Sequence, residues 1–373
     1  MPSTSTEARS GSGANRHVVI VAGGSGTRLW PLSRKGMPKQ LLHLVGDKSL
    51  LRLAYERVEA VVGADHVWVC TGASYRDVVE AELPEIDPEH ILGEPIGRDS
   101  LNAVAWPSAV LAARDPEASV AVVTADQIMR PVETFRERLA LAYDVVEARP
   151  DALVTFGVVP TTAHTGYGYL HRGAEIEGFD DVTEVVEFRE KPDRATAEQY
   201  LTSGEYWWNS GMFVWRARTF LDQLRQLAPQ SYDIVTAIAA DPSRVGELFP
   251  QAPKISVDYA IMEPVSRGEG SAQVLAVALP IQWYDIGGFP ALAEQLPHDA
   301  DGNAGEGAVV HLDTHDTLVI NRTDDGHLVA TVGLADIVVV RTSDVTLVCP
   351  KGDTERIKQL VATVRDQAGE AFV

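Results

Sequence analysis

Between His17 and Gly46 the chain carries Arg28, Arg34, Lys35 and Lys39 and no acidic residue, although its formal charge is −21. The stretch opens with Val18-Val19-Ile20-Val21-Ala22 and runs directly into Gly23-Gly24-Ser25-Gly26-Thr27-Arg28. Glycines at this density remove the Cβ atoms that keep a ligand away from backbone amides. Successive N–H groups in such a turn form a concave anion site, and Arg28 adds a fork matched to phosphate. Lys39 follows the rigid Met37-Pro38 step as a second cation. A locally cationic loop in an acidic chain points to a polyphosphate ligand, held by the backbone from Ala22 to Thr27 and by Arg28 and Lys39. The spacing excludes two common loops. An ATPase-type loop needs Lys-Ser/Thr after its last glycine, where Thr27-Arg28 stand, and a dinucleotide fingerprint needs a third Gly or Ala where Leu29 stands.

Such a loop needs a strand to end on. Apolar runs at residues 18–22, 67–71, 119–124 and 152–159 read as buried strands. Helical patterns lie between them at 49–62, 75–83, 101–113 and 132–148. The first sets Leu50, Leu53, Ala54, Val58 and Val61 on one face, with Ser49 as N-cap. This alternation predicts an α/β fold with a mostly parallel sheet covered on both sides, and ligands of such sheets sit beyond the strands' carboxyl ends. After Asn303 the texture changes to short β-type runs at 308–314, 317–322, 327–333, 336–342 and 345–350, then a helix at 354–367. The expected division is an extension over 1–16, a catalytic domain over 17–300 and a small β domain over 301–373. That last part carries none of the catalytic segments, so it is expected to serve assembly and stability, the chain forming a homodimer.

At 373 residues and 45% apolar content the chain can bury a large core. Its negative balance argues against nucleic-acid or anionic-membrane binding, and no run approaches the ~20 apolar residues of a membrane span. The first residues, MPSTSTEARSGSGANR, lack the apolar centre of a secretory signal and read as disordered. Cys70 and Cys349 lie in apolar runs and read as two buried thiols. A cytoplasmic location is expected.

The strings GGSGTRLWPLS and PKQLL closely resemble the opening of the sugar-1-phosphate nucleotidyltransferases, specifically the mannose-1-phosphate guanylyltransferases (GDP-mannose pyrophosphorylases). Further segments follow in order: Glu94-Pro95-Ile96-Gly97-Arg98, Asp126, Gly166-Tyr167-Gly168-Tyr169, Glu190-Lys191-Pro192, Trp208-Asn209-Ser210-Gly211-Met212-Phe213, Ser256-Val257-Asp258-Tyr259-Ala260 and Trp283-Tyr284-Asp285-Ile286-Gly287-Gly288. The resemblance implies a Rossmann-like catalytic domain, a left-handed β-helix-like C-terminal unit and transfer of GMP from GTP to α-D-mannose 1-phosphate. It also implies Mg²⁺ on Asp126 and Asp285. Arg28, Lys39 and Lys191 would be catalytic, the nucleobase would lie against Glu94 and Arg98, and Gly168, Glu190, Lys191, Asn209 and Asp258 would hold the sugar phosphate. Two carboxylates suffice, because magnesium keeps several waters and takes only one or two from a protein.

The chain departs from the family pattern at Gln127, where a His usually stands, and at Asp99 and Ser100, where Asn-Thr is usual. The competing readings are a pyrophosphorylase for another pair, such as glucose with dTTP or a heptose with GTP, and a non-catalytic homologue that only binds nucleotide sugars. The Trp-Asn-Ser-Gly-Met-Phe and Ser-Val-Asp-Tyr-Ala segments favour mannose and guanine. Alternating His311, Asp313 and His315 share one strand face, but with no fourth ligand nearby they read as the polar outer face of the β unit, not a metal site.

Overall fold

The structure, a computed structural model, describes residues 15–24, 26–44, 46–323 and 326–373. Most of the expected N-terminal extension and Ser25 of the glycine loop lie outside the described residues. The first strand, β1 (Arg16–Ala22), begins one residue inside the stretch read as extension. Arg16 anchors it there through ion pairs with Asp144 and Glu147, both at 2.7 Å.

Nine strands form the main sheet: β1, β2 (Val67–Gly72), β3 (Ile91–Glu94), β4 (Ser119–Thr124), β6 (Ala152–Val158), β7 (Gly168–Glu175), β8 (Val182–Glu190), β9 (Tyr206–Arg216) and β10 (Gln273–Leu279). The spatial order is β3-β2-β1-β4-β9-β6-β10-β8-β7. From β3 to β4 every pairing is parallel, as the alternation with helices requires. Beyond β4 the long strand β9 enters antiparallel to β4 and β6, and β8 pairs antiparallel with β10 and β7. The mostly parallel expectation therefore describes the half that carries the glycine loop, and the half from β9 to β7 is mixed. The change comes with β9 itself, an 11-residue strand that follows a helix at Arg194–Ser203 and enters between β4 and β6 antiparallel to both.

Alternate residues of β1 point to opposite cores. Val18 and Ile20 join α1 (Leu50–Val62), α2 (Arg76–Glu82) and α4 (Val132–Ala148) in one, while Val19 joins α3 (Asp99–Arg114) in the other. Ser49 caps α1 by accepting the Arg52 N–H at 2.9 Å. The buried face of α1 is broader than its apolar pattern: Leu50, Ala54 and Val58 are buried, as are Leu51, Tyr55 and Arg57, whereas Leu53 and Val61 are only half-buried.

A small antiparallel pair, β5 (Gln127–Arg130) with β11 (Gln282–Asp285), stands apart from the main sheet and sets Gln127 opposite Asp285. The C-terminal unit stacks its strands in parallel coils. β12 (Ala304–Glu306), β14 (Leu318–Asn321) and β16 (Ile337–Arg341) form one face, β13 (Val309–Leu312) and β15 (Val329–Val332) a second, and β17 (Thr346–Pro350) closes the first antiparallel. This is a β-helix-like arrangement, and each coil buries apolar side chains only by stacking on the next.

Two expectations about this region change, the outward His311 and the buried Cys349, and its core is shared. Its core is not its own: Leu318, Ile320, Val338, Val340, Ile357 and Val361 pack in one cluster with Leu29, Trp30, Leu32 and Leu42 of the loop region. His311 does not face outward; it is half-buried with its Nδ1 2.7 Å from Thr331 Oγ1, while Val310 and Leu312 are the exposed residues of β13. The strand has its alternation turned over, because the coil's interior takes the His–Thr hydrogen bond. Cys349 is half-buried, not buried like Cys70. Among the described residues no helix is long and apolar enough to cross a membrane.

Candidate active site

The glycine loop leaves β1 in tight left-handed turns, with Gly24 at φ +86° and Gly26 at φ +64°. A Cβ at Gly26 would lie 2.3 Å from the Lys39 Cβ, so only glycine lets Lys39 pass beneath the loop. Gly26 is fixed in turn by Ser33, whose Oγ donates to its carbonyl at 2.6 Å, and the Ala22 carbonyl accepts from Gln40 and Thr71. Thr27–Leu29 form a single 3-10 turn. This carries Arg28 to a place where it donates to the Gly287 carbonyl at 3.1 Å and lies 3.4 Å from the Glu355 carboxylate.

Lys39 Nζ donates to Asp126 Oδ2 at 2.6 Å. The β5–β11 ladder and an Ile286 N–H donating to the Asp126 carbonyl at 3.1 Å draw the two aspartate segments together. Burial first, and the Asp126 charge next, push the Asp285 carboxyl above its ordinary value, while Lys39 and Arg28 pull it back. Two carboxylates flanked by two cations form a donor set that suits one divalent ion bound with most of its waters. Among the described residues no group of three or more His, Cys, Asp or Glu is placed to hold a metal.

Arg28, Asp126 and Asp285 line a cleft of about 900 Å³ together with Gly168, Lys191 and Asn209. A Cβ on Gly168 would meet Glu190 Oε2 at 2.4 Å, so the glycine makes room for that carboxylate. Glu190 Oε1 accepts from Lys191 Nζ at 2.5 Å, and Lys191 itself sits at φ +50°. A non-glycine residue held there carries backbone strain of the kind that collects at ligand sites. Asn209 donates to Asp258 Oδ1 at 3.0 Å and accepts from Thr155 Oγ1 at 3.0 Å. Burial, with the Glu190 charge behind it, pushes Asp258 up to about 7. Tyr167 stacks on His164 at 3.8 Å and meets the edges of Trp208 and Trp283, which gives the cleft an aromatic wall.

Glu94 ends β3 at 7% exposure, 3.9 Å from where a Gly23 Cβ would be, and burial raises its carboxyl to about 7. Its Oε1 has no partner among the described residues. Neither Glu94 nor Arg98 lines the cleft, and the Arg98 guanidinium donates to the Pro250 carbonyl. The residues that depart from the family pattern have structural work. Ser100 Oγ accepts the Val257 N–H at 3.0 Å and so ties the start of α3 to the segment carrying Asp258. Gln127 donates to the Ser210 carbonyl at 2.6 Å, joining the Asp126 corner to β9.

A profile for the nucleotidyl transferase family matches residues 17–302. The chain belongs to this family. A second profile, for the MannoseP isomerase/GMP-like beta-helix domain, matches residues 307–364. Mannose-1-phosphate guanylyltransferase of Escherichia coli K12 is 36% identical over 93% of this chain and 73% of its own length. The Xanthan biosynthesis protein XanB of Xanthomonas campestris pv. campestris B100 is 36% identical over 93% of this chain and 73% of its own. A crystal structure from Thermus thermophilus, described as a mannose-1-phosphate geranyltransferase, superposes with TM-score 0.83 at 30% identity. It covers 94% of this chain and 99% of that one.

Several cleft residues of this nucleotidyl transferase carried no signal in the sequence. Thr354 and Glu355 line the cleft from the C-terminal unit, so that unit is not confined to assembly as expected. His164 sits in a stretch without a distinctive pattern, and nothing in its spacing marks it. Arg57, which is buried and does not line the cleft, could have been noticed as a charge beside the apolar stripe of α1.

Proposed function

We propose that this chain transfers GMP from GTP to α-D-mannose 1-phosphate, releasing pyrophosphate and giving GDP-mannose. The observation that carries the reading is a single cleft lined by Arg28, Asp126, Asp285, Glu190, Lys191, Asn209 and Asp258, with Lys39 paired to Asp126. Guanine and mannose are favoured over other pairs by the relatives named for mannose-1-phosphate guanylyltransferase activity. Retention of both cation–carboxylate pairs argues against a homologue that only binds nucleotide sugars.

The reaction joins two anions, so the chain's task is to bring them together and spread the charge that builds on the α-phosphate. The loop amides and Arg28 hold the triphosphate, with Lys39 beneath it. Asp126 and Asp285 would hold Mg²⁺, which would supply charge neutralisation at the phosphates. Lys191 holds the sugar phosphate against the line of attack, while Glu190, Asn209 and Asp258 accept sugar hydroxyls. Glu94 accepts from the donor edge of guanine. No general base is required, because the attacking phosphate oxygen is already ionised at neutral pH.

A matrix of five nucleoside triphosphates against several sugar 1-phosphates, read by product chromatography, tests this. GDP-mannose should dominate; preferred product from dTTP or from a heptose phosphate would overturn the specificity. Within the same matrix, Lys191→Ala should raise KM for mannose 1-phosphate about 10–100-fold, the loss of a charge-assisted contact of about 1.5–3 kcal/mol, while KM for GTP changes little. The reverse pattern would exchange the two substrate assignments.

A homodimer is also proposed, with a second copy on the outer face of β13 and β15. Val310, Leu312, Leu328 and Val332 are 54–66% exposed there, and Leu312 is in register with Val332, so the strip is continuous. An apolar strip of this kind pairs with itself about a two-fold axis. Light scattering should give twice the chain mass, and Leu312→Arg with Val332→Asp should halve it. A wild-type chain that stays monomeric at high concentration would overturn the assembly. Two free cysteines fit a reducing, cytoplasmic setting.

A further inference from the structure

One buried cation takes no part in the mechanism above. Arg57 of α1 is 3% exposed, and among the described residues no carboxylate lies within ion-pair distance of it. Burial lowers its pKa only to about 10, so it stays charged at neutral pH. Its Nη1 donates to the Gln127 carbonyl at 3.0 Å and its Nη2 to the Thr124 carbonyl at 3.4 Å, while the guanidinium carbon lies 5.2 Å from the centre of the Phe135 ring. Nε has no partner among the described residues.

A buried cation without a counter-carboxylate is costly, and a methionine of similar volume would pack the same space without that cost. What the guanidinium does that methionine cannot is visible in its two acceptors. Thr124 ends β4 and Gln127 begins β5, so the fork spans the corner on which Asp126 stands. The same corner receives the Lys39 ion pair on its other side and the Ile286 N–H on its carbonyl. Arg136 of α4 contacts the α1 backbone and not the Arg57 fork, donating to the carbonyls of Glu56 and Arg57 at 2.8 and 3.2 Å, and so serves as a control for the stability of α1 alone.

We propose that Arg57 is a positioning residue for the transfer reaction: its planar fork fixes the carbonyls on both sides of Asp126 and so holds that carboxylate in place beside Asp285 for the metal. This rests on the reading of Asp126 and Asp285 as metal carboxylates. Lysine is not a substitute, because a single ammonium does not bridge two carbonyls in a fixed plane.

The test is Mn²⁺ binding to the full chain with a non-hydrolysable GTP analogue, followed by electron paramagnetic resonance, alongside steady-state kinetics. Arg57→Met should weaken Mn²⁺ binding and raise half-saturating Mg²⁺ about 10–100-fold, the usual loss when a group that orients a metal ligand is removed. KM for mannose 1-phosphate should stay within about twofold, because the residues assigned to the sugar phosphate stand on other elements. Arg57→Lys should remain impaired, and added guanidinium should restore part of the Arg57→Met loss. Arg136→Ala should lower melting temperature and leave Mn²⁺ affinity unchanged. The proposal is overturned if Arg57→Met melts lower yet binds Mn²⁺ normally, if Arg57→Lys is fully active, or if Arg136→Ala weakens Mn²⁺ as much as Arg57→Met. Asp126→Asn run beside them keeps the two readings apart: normal Mn²⁺ binding in that variant would remove the metal assignment itself, independently of Arg57.

Discussion

Asp285→Asn is expected to lower turnover by about two to four orders of magnitude, the equivalent of about 3–5 kcal/mol of lost charge stabilisation at the phosphates. The substitution keeps the shape of the side chain and removes one of the two carboxylates assigned to the metal. The fold has no reason to suffer. The ladder contact to Gln127 is made by backbone, and Asn is close to isosteric with Asp. Metal-free stability should move the other way from activity. Burial first, and Asp126 next, raise the Asp285 pKa in the folded chain. The folded state therefore binds this proton more tightly than the unfolded state. The group's favourable contribution is complete below its ordinary value near 4 and is lost as pH rises through the raised value. At neutral pH the ionised Asp285 destabilises the metal-free protein, and Asn removes that penalty. Thermal denaturation in chelator should give the variant a melting temperature no lower than wild type. Its rise on adding Mg²⁺ and GTP should be largely gone. Near-normal turnover of Asp285→Asn at limiting Mg²⁺ would remove Asp285 from the metal site.

The parts of this site that were legible in the sequence are those where chemistry and chain are adjacent. A strand emptying into three glycines, an Arg and a Lys announces an anion site, because each of those residues acts where it stands. Asp126 stands at the end of an apolar run, where an Asp alone reads as a turn residue, and its metal role comes from the resemblance. The resemblance to a known family added Asp285, Glu190, Lys191, Asn209 and Asp258. What stayed hidden depends on contacts between distant segments. Arg57 reads as a polar interruption of an amphipathic helix until the β4–β5 corner is laid over it. Glu355 is an ordinary acid in a turn until the C-terminal unit docks beside Arg28. Strand β13 shows how a period-2 pattern can be read with the wrong face inward. His311 looks polar and outward, yet a threonine across the coil offsets the cost of its burial while Val310 and Leu312 face out. Likewise the entry of β9 between β4 and β6 is a tertiary event that strand–helix alternation does not encode.

Removing residues 302–373 is expected to abolish Mg²⁺-dependent GTP binding, because the C-terminal unit is part of the wall that shapes the phosphate loop. Leu29, Trp30 and Leu32 are buried against Leu318, Ile320, Val338 and Val340 in one cluster. Trp30 Nε1 donates to the Phe372 carbonyl at 2.7 Å, Arg34 pairs with Asp344 at 2.5 Å, and Arg322 reaches the His43 carbonyl at 2.5 Å. Each large apolar side chain returned to water costs about 1.5–3 kcal/mol. Exposing three or four of them removes about 5–10 kcal/mol, which is comparable to the whole stability of a typical domain. The loop itself would feel the loss first, since Leu29 immediately follows Arg28 and the Thr27–Leu29 turn holds the guanidinium in the cleft. Calorimetric titration of the truncated chain should therefore detect no GTP binding. Its thermal transition should be far lower than that of the full chain, or absent. A truncated chain that binds GTP with unchanged affinity would show that the loop keeps its shape alone and that the shared core serves only to attach the β unit. Loss of binding with a preserved, cooperative melt would be the sharper result. It would place the effect in the geometry of Arg28, where the Gly287 carbonyl and the Glu355 carboxylate meet the guanidinium from two parts of the chain.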